Sequence, residues 1–208
     1  TNVAVGVSGT EGYAEEAHTL VESYERIAFA ELHEEVLHLI PSTPCRALDI
    51  GSGTGRDAAA LAKLGHDVVA VEPTEPFRST AAQLHQSPRI EYLDDSLPNL
   101  ARLAERQDKF DLIMLTAVWM HLDEQQRADA MKAIASLMHA GCVLILSLRY
   151  GPVPPGRRMF NVSAEETIGL AQDEGLALAL KLENQTSFFG RPGVSRTRLA
   201  FSKPGGVA

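Results

Sequence analysis

The chain has 208 residues, with 19 Lys plus Arg against 27 Asp plus Glu, a formal charge of -8, and a hydrophobic fraction of 45%. That size and composition suit one globular domain with an ordinary core, and the acidic balance works against nonspecific grip on a phosphate backbone or an anionic lipid surface. No apolar run approaches the roughly 20 residues needed to cross a bilayer, and Thr1 to Glu16 lack the basic then apolar pattern of a secretory signal. A cytoplasmic protein is therefore expected. Only Cys45 and Cys142 are present, so the expectation is two buried thiols rather than a disulfide framework or a cysteine-based zinc site, and no metal site is expected.

Residues 1–12 are small, Gly-containing and aperiodic, and read as a flexible tail with no structural part to play. From Tyr13 to Ile40, Leu20, Tyr24, Ile27, Leu32, Val36, Leu37 and Ile40 recur at helical spacing up to the stop at Pro41, which predicts one or two amphipathic helices. These helices either form a lid over a ligand site or only cover one sheet face.

Beyond Pro44 the pattern changes to short apolar runs separated by helical segments. Cys45–Ile50, Val68–Glu72, Ile90–Leu93, Phe110–Thr116 and Val143–Leu148 read as strands, and Asp57–Leu64, Glu75–Gln86, Leu97–Arg106 and Asp123–His139 as helices. Such alternation calls for parallel strands joined by right-handed crossovers. Tyr150–Val162 holds three Pro and two Gly and reads as a long functional loop. Ser163-x-x-Glu166 then opens a helix with a capping-box pattern, ending near Gly175. Leu176–Glu183 and Arg196–Ser202 follow as late strands, an antiparallel pair on the sheet edge. The fold class is α/β: a single-domain, doubly wound, Rossmann-like, seven-stranded mixed sheet with helices on both faces. Residues 13–208 form the domain, with 13–40 as an N-terminal helical layer and 45–202 as the α/β core.

Leu48-Asp49-Ile50-Gly51-Ser52-Gly53-Thr54-Gly55 joins the first strand to a helix, where Gly residues allow a tight turn and close approach to a ligand. The spacing is GxGxG, whereas a dinucleotide fingerprint is GxGxxG. Asp49, two residues before the first Gly, would repel a pyrophosphate and attract an ammonium group. Glu72 ends the second strand, where a carboxylate accepts from ribose hydroxyls, and Asp94-Asp95-Ser96 ends the third, where one accepts from a purine amine. Together these carboxyl ends suit a ligand with an ammonium, a ribose and an adenine but no phosphate.

In ALDIGSGTG, VVAVEP, DDSLP and FDLIMLTAVWMHLD, in that order, the chain resembles the class I S-adenosylmethionine-dependent methyltransferases from about Cys45 to Ser202. The resemblance implies S-adenosyl-L-methionine as cofactor and S-adenosyl-L-homocysteine as product. It sets Gly51, Ser52 and Gly53 against the methionine part, Asp49 near the ammonium, Glu72 on the ribose and Pro73 against the adenine. It also implies Asp95 at the adenine amine, Ser96 and Leu97 offering backbone N–H groups, and Thr116 to Val118 along the methionine chain.

The acceptor side is less defined. Methyl transfer mainly needs positioning and exclusion of water, so a base is optional. The segment after the fourth strand, Thr116 to Trp119, is not the Asn/Asp-Pro-Pro-Tyr/Phe of nucleic-acid amino methyltransferases, and no Cys stands there for cytosine C5 chemistry. His121 is either a general base or a residue that fixes the loop ahead of the helix at Asp123; Trp119 either stacks on the ligand or plugs the core. Arg149, Arg157 and Arg158 are placed to clamp an anionic small-molecule acceptor, or else lie solvated on a surface loop. The alternatives are a cofactor-binding protein of the same fold without transfer, a methyltransferase acting on a protein or RNA, and a nicotinamide-dependent dehydrogenase. Asp49 and the GxGxG spacing disfavour the last, and the overall charge disfavours nucleic acid.

Overall fold

Burial alternates along the central strands and sets the architecture. In β1 (Arg46–Ile50), Leu48 and Ile50 join one apolar cluster and Ala47 another; in β2 (Asp67–Val71), Val69 and Val71 part in the same way from Val68 and Ala70. In β4 (Phe110–Leu115), Ile113 and Leu115 part from Leu112 and Met114. Successive side chains on a strand point to opposite faces, so these strands are apolar on both sides and need helices on both. A computed structural model describes residues 7, 10–14, 16–25, 27–186 and 190–205 and shows that arrangement.

Seven strands form one sheet in the order β3-β2-β1-β4-β5-β7-β6, with β3 at Ile90–Leu93, β5 at Met138–Tyr150, β6 at Ala177–Thr186 and β7 at Ser195–Ser202. β1 to β5 are parallel, and β7 runs antiparallel to both β5 and β6. The expected edge pair is present, with the antiparallel member β7 one place in and β6 outermost. On one face, α5 (Ala101–Arg106), α6 (Glu124–Ser136) and α7 (Ala164–Asp173) cover the larger cluster through Leu103, Met131, Ile134 and Ala171. On the other, α2 (Phe29–Leu32) and α3 (Arg56–Lys63) supply Phe29, Ala58 and Leu61. Each such fully buried Leu or Ile contributes about 1.5–3 kcal/mol. The remaining helices are α1 (Ala17–Glu25) and α4 (Glu75–Leu84).

Several boundaries differ from the sequence pattern for identifiable reasons. α5 starts at Ala101 rather than Leu97, since Leu97 precedes Pro98 and a residue before proline is pushed out of the helical region. α6 stops at Ser136, because Met138 already pairs with Phe110 in the sheet; β5 is correspondingly long, carrying a register shift opposite β4 and extending to Tyr150 opposite Ser195 of β7. The helical stretch before β1 breaks into α1, α2 and a 3-10 helix at Glu34–Leu39. Asp123 caps α6 in a reciprocal box with Gln126, and Ser163 caps α7 by accepting the Glu166 N–H. Cys142 is buried as expected, but Cys45 is only half-buried, and both thiols are free. No helix among the described residues is long and apolar enough to cross a membrane.

Of the tail expected at 1–12, residues 1–6, 8 and 9 lie outside the described residues. The described part is not idle: Thr10 donates to the Val7 carbonyl at 2.6 Å, and both residues reach the cavity described next.

Candidate active site

In an open α/β sheet the ligand crevice lies beyond the carboxyl ends of the strands where strand order reverses. Here that point falls between β1 and β4, and a cavity of about 400 Å³ opens over it. Its floor is the turn after β1. Gly51 and Ser52 both donate to the Val71 carbonyl, at 2.8 and 3.0 Å, which ties the turn to the end of β2. Gly51 sits at φ +70°, and a Cβ there would stand 2.4 Å from Val118 Cγ2, so only glycine fits.

Glu72 extends from the end of β2 under this turn. Its Oε1 accepts the Gly53 N–H at 2.9 Å and its Oε2 the Thr74 N–H at 2.8 Å. Burial pushes the Glu72 carboxyl above its ordinary range, and these two N–H groups partly oppose the shift. Asp49 is 2% exposed, and its Oδ2 is buried with no hydrogen-bond partner among the described residues. Burial, then the nearby Asp57 charge, raises the Asp49 carboxyl well above its ordinary value. A buried carboxylate atom left open at a cavity wall is a ready acceptor for a cationic donor.

Asp57, in the first turn of α3, is the centre of a buried polar chain. It accepts from His33 Nε2 at 2.8 Å, Arg56 Nε at 3.0 Å and Thr116 Oγ1 at 3.1 Å. Burial alone would raise the Asp57 carboxyl; the His33 hydrogen bond and the Arg56 guanidinium outweigh it and hold it well below the usual range. On the far side of His33, Arg198 Nη1 donates to Nδ1 at 3.0 Å, and Arg198 Nη2 donates to the Leu32 carbonyl at 3.0 Å. A guanidinium only donates, so His33 Nδ1 accepts and Nε2 carries the proton. Burial lowers the His33 pKa and keeps the ring neutral.

The opposite wall carries His121. Its Nδ1 lies 3.0 Å from the Arg158 carbonyl, which can only accept, so Nδ1 carries the proton. Its Nε2 lies 2.8 Å from the Tyr13 hydroxyl, which donates to it, and burial lowers the His121 pKa. The ring is thus tied to the 150–162 loop through Arg158 rather than only to the turn ahead of Asp123, and its other nitrogen meets Tyr13 at the cavity. Arg157 lies over the Tyr13 ring, 4.1 Å from its centroid, and pairs with Glu16 at 2.7 Å.

Of the residues expected at the site, Asp49, Gly51, Ser52, Gly53, Glu72, Pro73, Ser96, Leu97, Thr116, His121, Arg149 and Arg157 line the cavity. Three do not. Asp95 accepts the Ser96 N–H at 2.9 Å and the Leu103 N–H at 3.1 Å, so its side chain secures the start of α5 instead. Trp119 is fully buried in the main core cluster, which decides its role as a plug rather than a stacking surface. Arg158 turns away to Asp123 and Gln126, at 3.1 and 2.9 Å. The expected trio of arginines is therefore reduced to Arg149 and Arg157. Sequence reasoning missed Tyr13, His33, Asp57, Arg196 and Arg198; the alternation in Arg196-Thr197-Arg198, two guanidinium groups on one strand face, was the available signal for the last pair. Among the described residues no group of three or more His, Cys, Asp or Glu side chains is placed to hold a metal ion.

Residues 47–141 match the family described as "Methyltransferase domain". A Haemophilus influenzae relative, "Probable S-adenosyl-L-methionine-dependent methyltransferase TehB", is 29% identical over 100 residues, a stretch covering 48% of this chain and 34% of that protein. The chain thus spans about a third of the length of that curated relative. A TehB-like S-adenosylmethionine-dependent methyltransferase from Corynebacterium glutamicum superposes with a TM-score of 0.68 at 21% identity, over 91% of this chain and 98% of that one. The Burkholderia thailandensis 1,6-didemethyltoxoflavin-N1-methyltransferase, solved with 1,6-didemethyltoxoflavin and S-adenosylhomocysteine bound, gives 0.69 at 18% identity, over 93% and 86%. Residues 47–141 thus carry the likeness to a methyltransferase domain, and the chain has the fold of these S-adenosylmethionine-dependent methyltransferases.

Proposed function

We propose that the chain binds S-adenosylmethionine and transfers its methyl group to a small molecule held in the same cavity. The observation that carries this reading is Asp49, a buried carboxylate with an open oxygen at the wall, one residue from the Gly51–Gly53 turn. Asp49 would hold the cofactor's ammonium, Glu72 its ribose hydroxyls, and Pro73 with Ser96 and Leu97 its adenine. When bound, the cofactor supplies a methyl group already activated on a sulfonium. The enzyme's own residues then position the acceptor and exclude water. Tyr13, Leu20, Tyr24, Ile27 and Leu32 line the cavity, which supports residues 13–40 as its lid.

Where the acceptor is a hydroxyl or amine, its proton has a route. The group gives its proton to Tyr13 Oη as Tyr13 gives its own to His121 Nε2, and the Arg158 carbonyl holds the ring for that exchange. A cavity of about 400 Å³ suits a small acceptor beside part of the cofactor, and the 1,6-didemethyltoxoflavin enzyme is a neighbour in fold with such an acceptor. The two free thiols suit a reducing, cytoplasmic setting.

Calorimetric titration with S-adenosylhomocysteine, S-adenosylmethionine and NAD tests the reading. Micromolar binding of the first two without NAD binding is the expected result. NAD affinity with no response to the sulfonium cofactor or its product would end it.

A further inference from the structure

Charges in the cavity do not cancel in place. Arg56 pairs with Asp57, Arg157 with Glu16 and Arg196 with Glu35. Arg149 donates only to the Pro152 carbonyl and weakly to Met159 Sδ, and Arg198 only to His33 and the Leu32 carbonyl; among the described residues neither meets a carboxylate. Across the cavity, among the described residues, the Asp49 and Glu72 carboxylates pair with no cation.

The unpaired cations share a wall. β5 and β7 run antiparallel with Ser147 opposite Arg198 and Arg149 opposite Arg196. Residues two apart on a strand share a face, so these four side chains form one patch, and all four line the cavity. Like charges directly opposite across strands destabilise a sheet, and Glu35 answers only the Arg196 member. Arg198 is 1% exposed, and its Nε is a buried donor with no acceptor among the described residues. Ser147 Oγ accepts the Ala117 N–H at 3.0 Å, which leaves its own proton to give.

We propose that this β5–β7 wall binds a carboxylate group of the methyl acceptor, so that the substrate is a small carboxylic acid. Arg149 and Arg198 supply the charge, and guanidinium forks match a planar carboxylate. The inference rests on the methyl-transfer reading above. The cofactor's own carboxylate is bonded to the carbon that bears its ammonium, so it stays beside Asp49 on β1. Arg149 is two strands away, about 10 Å at the usual strand spacing.

The test uses the full chain saturated with S-adenosylhomocysteine and titrated with a panel of aryl and alkyl carboxylates, beginning with 4-hydroxybenzoate. Each acid is paired with its primary amide and its phosphate-ester counterpart. The expected result is at least a tenfold preference for an acid over its amide. That preference is lost in Arg149→Gln, partly regained in Arg149→Lys, and accompanied by S-adenosylhomocysteine affinity within twofold of the native chain. No acid preference anywhere in the panel, a preference for the phosphate ester, or an equal loss of S-adenosylhomocysteine affinity in Arg149→Gln overturns the proposal. Failure of the native chain to bind S-adenosylhomocysteine would instead remove the methyl-transfer reading itself.

Discussion

Gly53 donates its backbone N–H to Glu72 Oε1 at 2.9 Å, so the carboxylate that ends β2 also holds the turn that follows β1. Two ligand-facing elements from different parts of the chain are thereby locked to one side chain. The turn is shaped before any ligand arrives.

Glu72→Ala removes the acceptor for the Gly53 and Thr74 N–H groups together. Leaving buried donors unpaired costs about 1–3 kcal/mol, so a lower melting temperature is expected along with S-adenosylhomocysteine binding weakened by at least tenfold. Calorimetry on both properties checks it. Weakened binding with unchanged stability would show that Glu72 does not hold the turn.

Asp49→Asn separates ligand binding from stability. A carboxyl whose folded pKa lies above its unfolded value stabilises the fold at low pH and loses that contribution as pH rises from its ordinary 3.8 through the folded value. The variant should therefore melt at the same or a higher temperature at pH 7, with a flatter dependence on pH. It should also lose about 1.5–3 kcal/mol of S-adenosylhomocysteine binding, the value of a charged hydrogen bond. Unimpaired affinity would place the ammonium elsewhere.

Two of the buried histidines, His33 and His121, should carry opposite tautomers. His33 keeps its proton on Nε2 toward Asp57 and His121 on Nδ1 toward Arg158, and both are neutral at pH 7, since burial holds each below 6.5. Long-range proton–nitrogen correlation spectra distinguish these states directly. Because the unfolded chain binds more protons between the lowered pKa values and 6.5, stability rises with pH through that window and is lost as pH falls through it. An imidazolium pattern for either ring at pH 7 would contradict the geometry.

His33→Leu takes one hydrogen-bond partner each from Asp57 and Arg198, leaving Asp57 with Arg56 and Thr116 and Arg198 with the Leu32 carbonyl. Losing hydrogen bonds to buried charged groups costs about 1.5–3 kcal/mol, to be read from urea unfolding. A loss under about 1 kcal/mol would mean that Arg56 and Thr116 satisfy Asp57 by themselves.

The places of Asp49 and Glu72 at the cavity were legible because both are polar residues interrupting apolar strand runs at the start of turns, a contrast that periodicity exposes. Asp95 shows the limit of that logic: an acidic residue at a strand end serves a helix N-terminus as readily as a ligand, and here its oxygens go to Ser96 and Leu103. Trp119 stands next to a cavity residue in sequence, but its ring goes into the core, a matter of side-chain direction in a 3-10 turn that spacing does not encode. His33, Asp57 and Arg198 come from positions up to 165 residues apart, and only the assembled sheet with its helices brings them together. Tyr13 marks only the start of a helical stretch in the sequence, and its meeting with His121 is likewise a product of tertiary docking.

Residues facing the cavity from β1, β2 and β4 fall between Asp49 and Val118, whereas the arginine wall of β5 and β7 falls between Ser147 and Arg198. The two halves of the site are consecutive blocks of sequence joined through α6. A change in how an acceptor's charge is held then calls for rewriting the second block, while Tyr13 and His121, outside both blocks, stay in place.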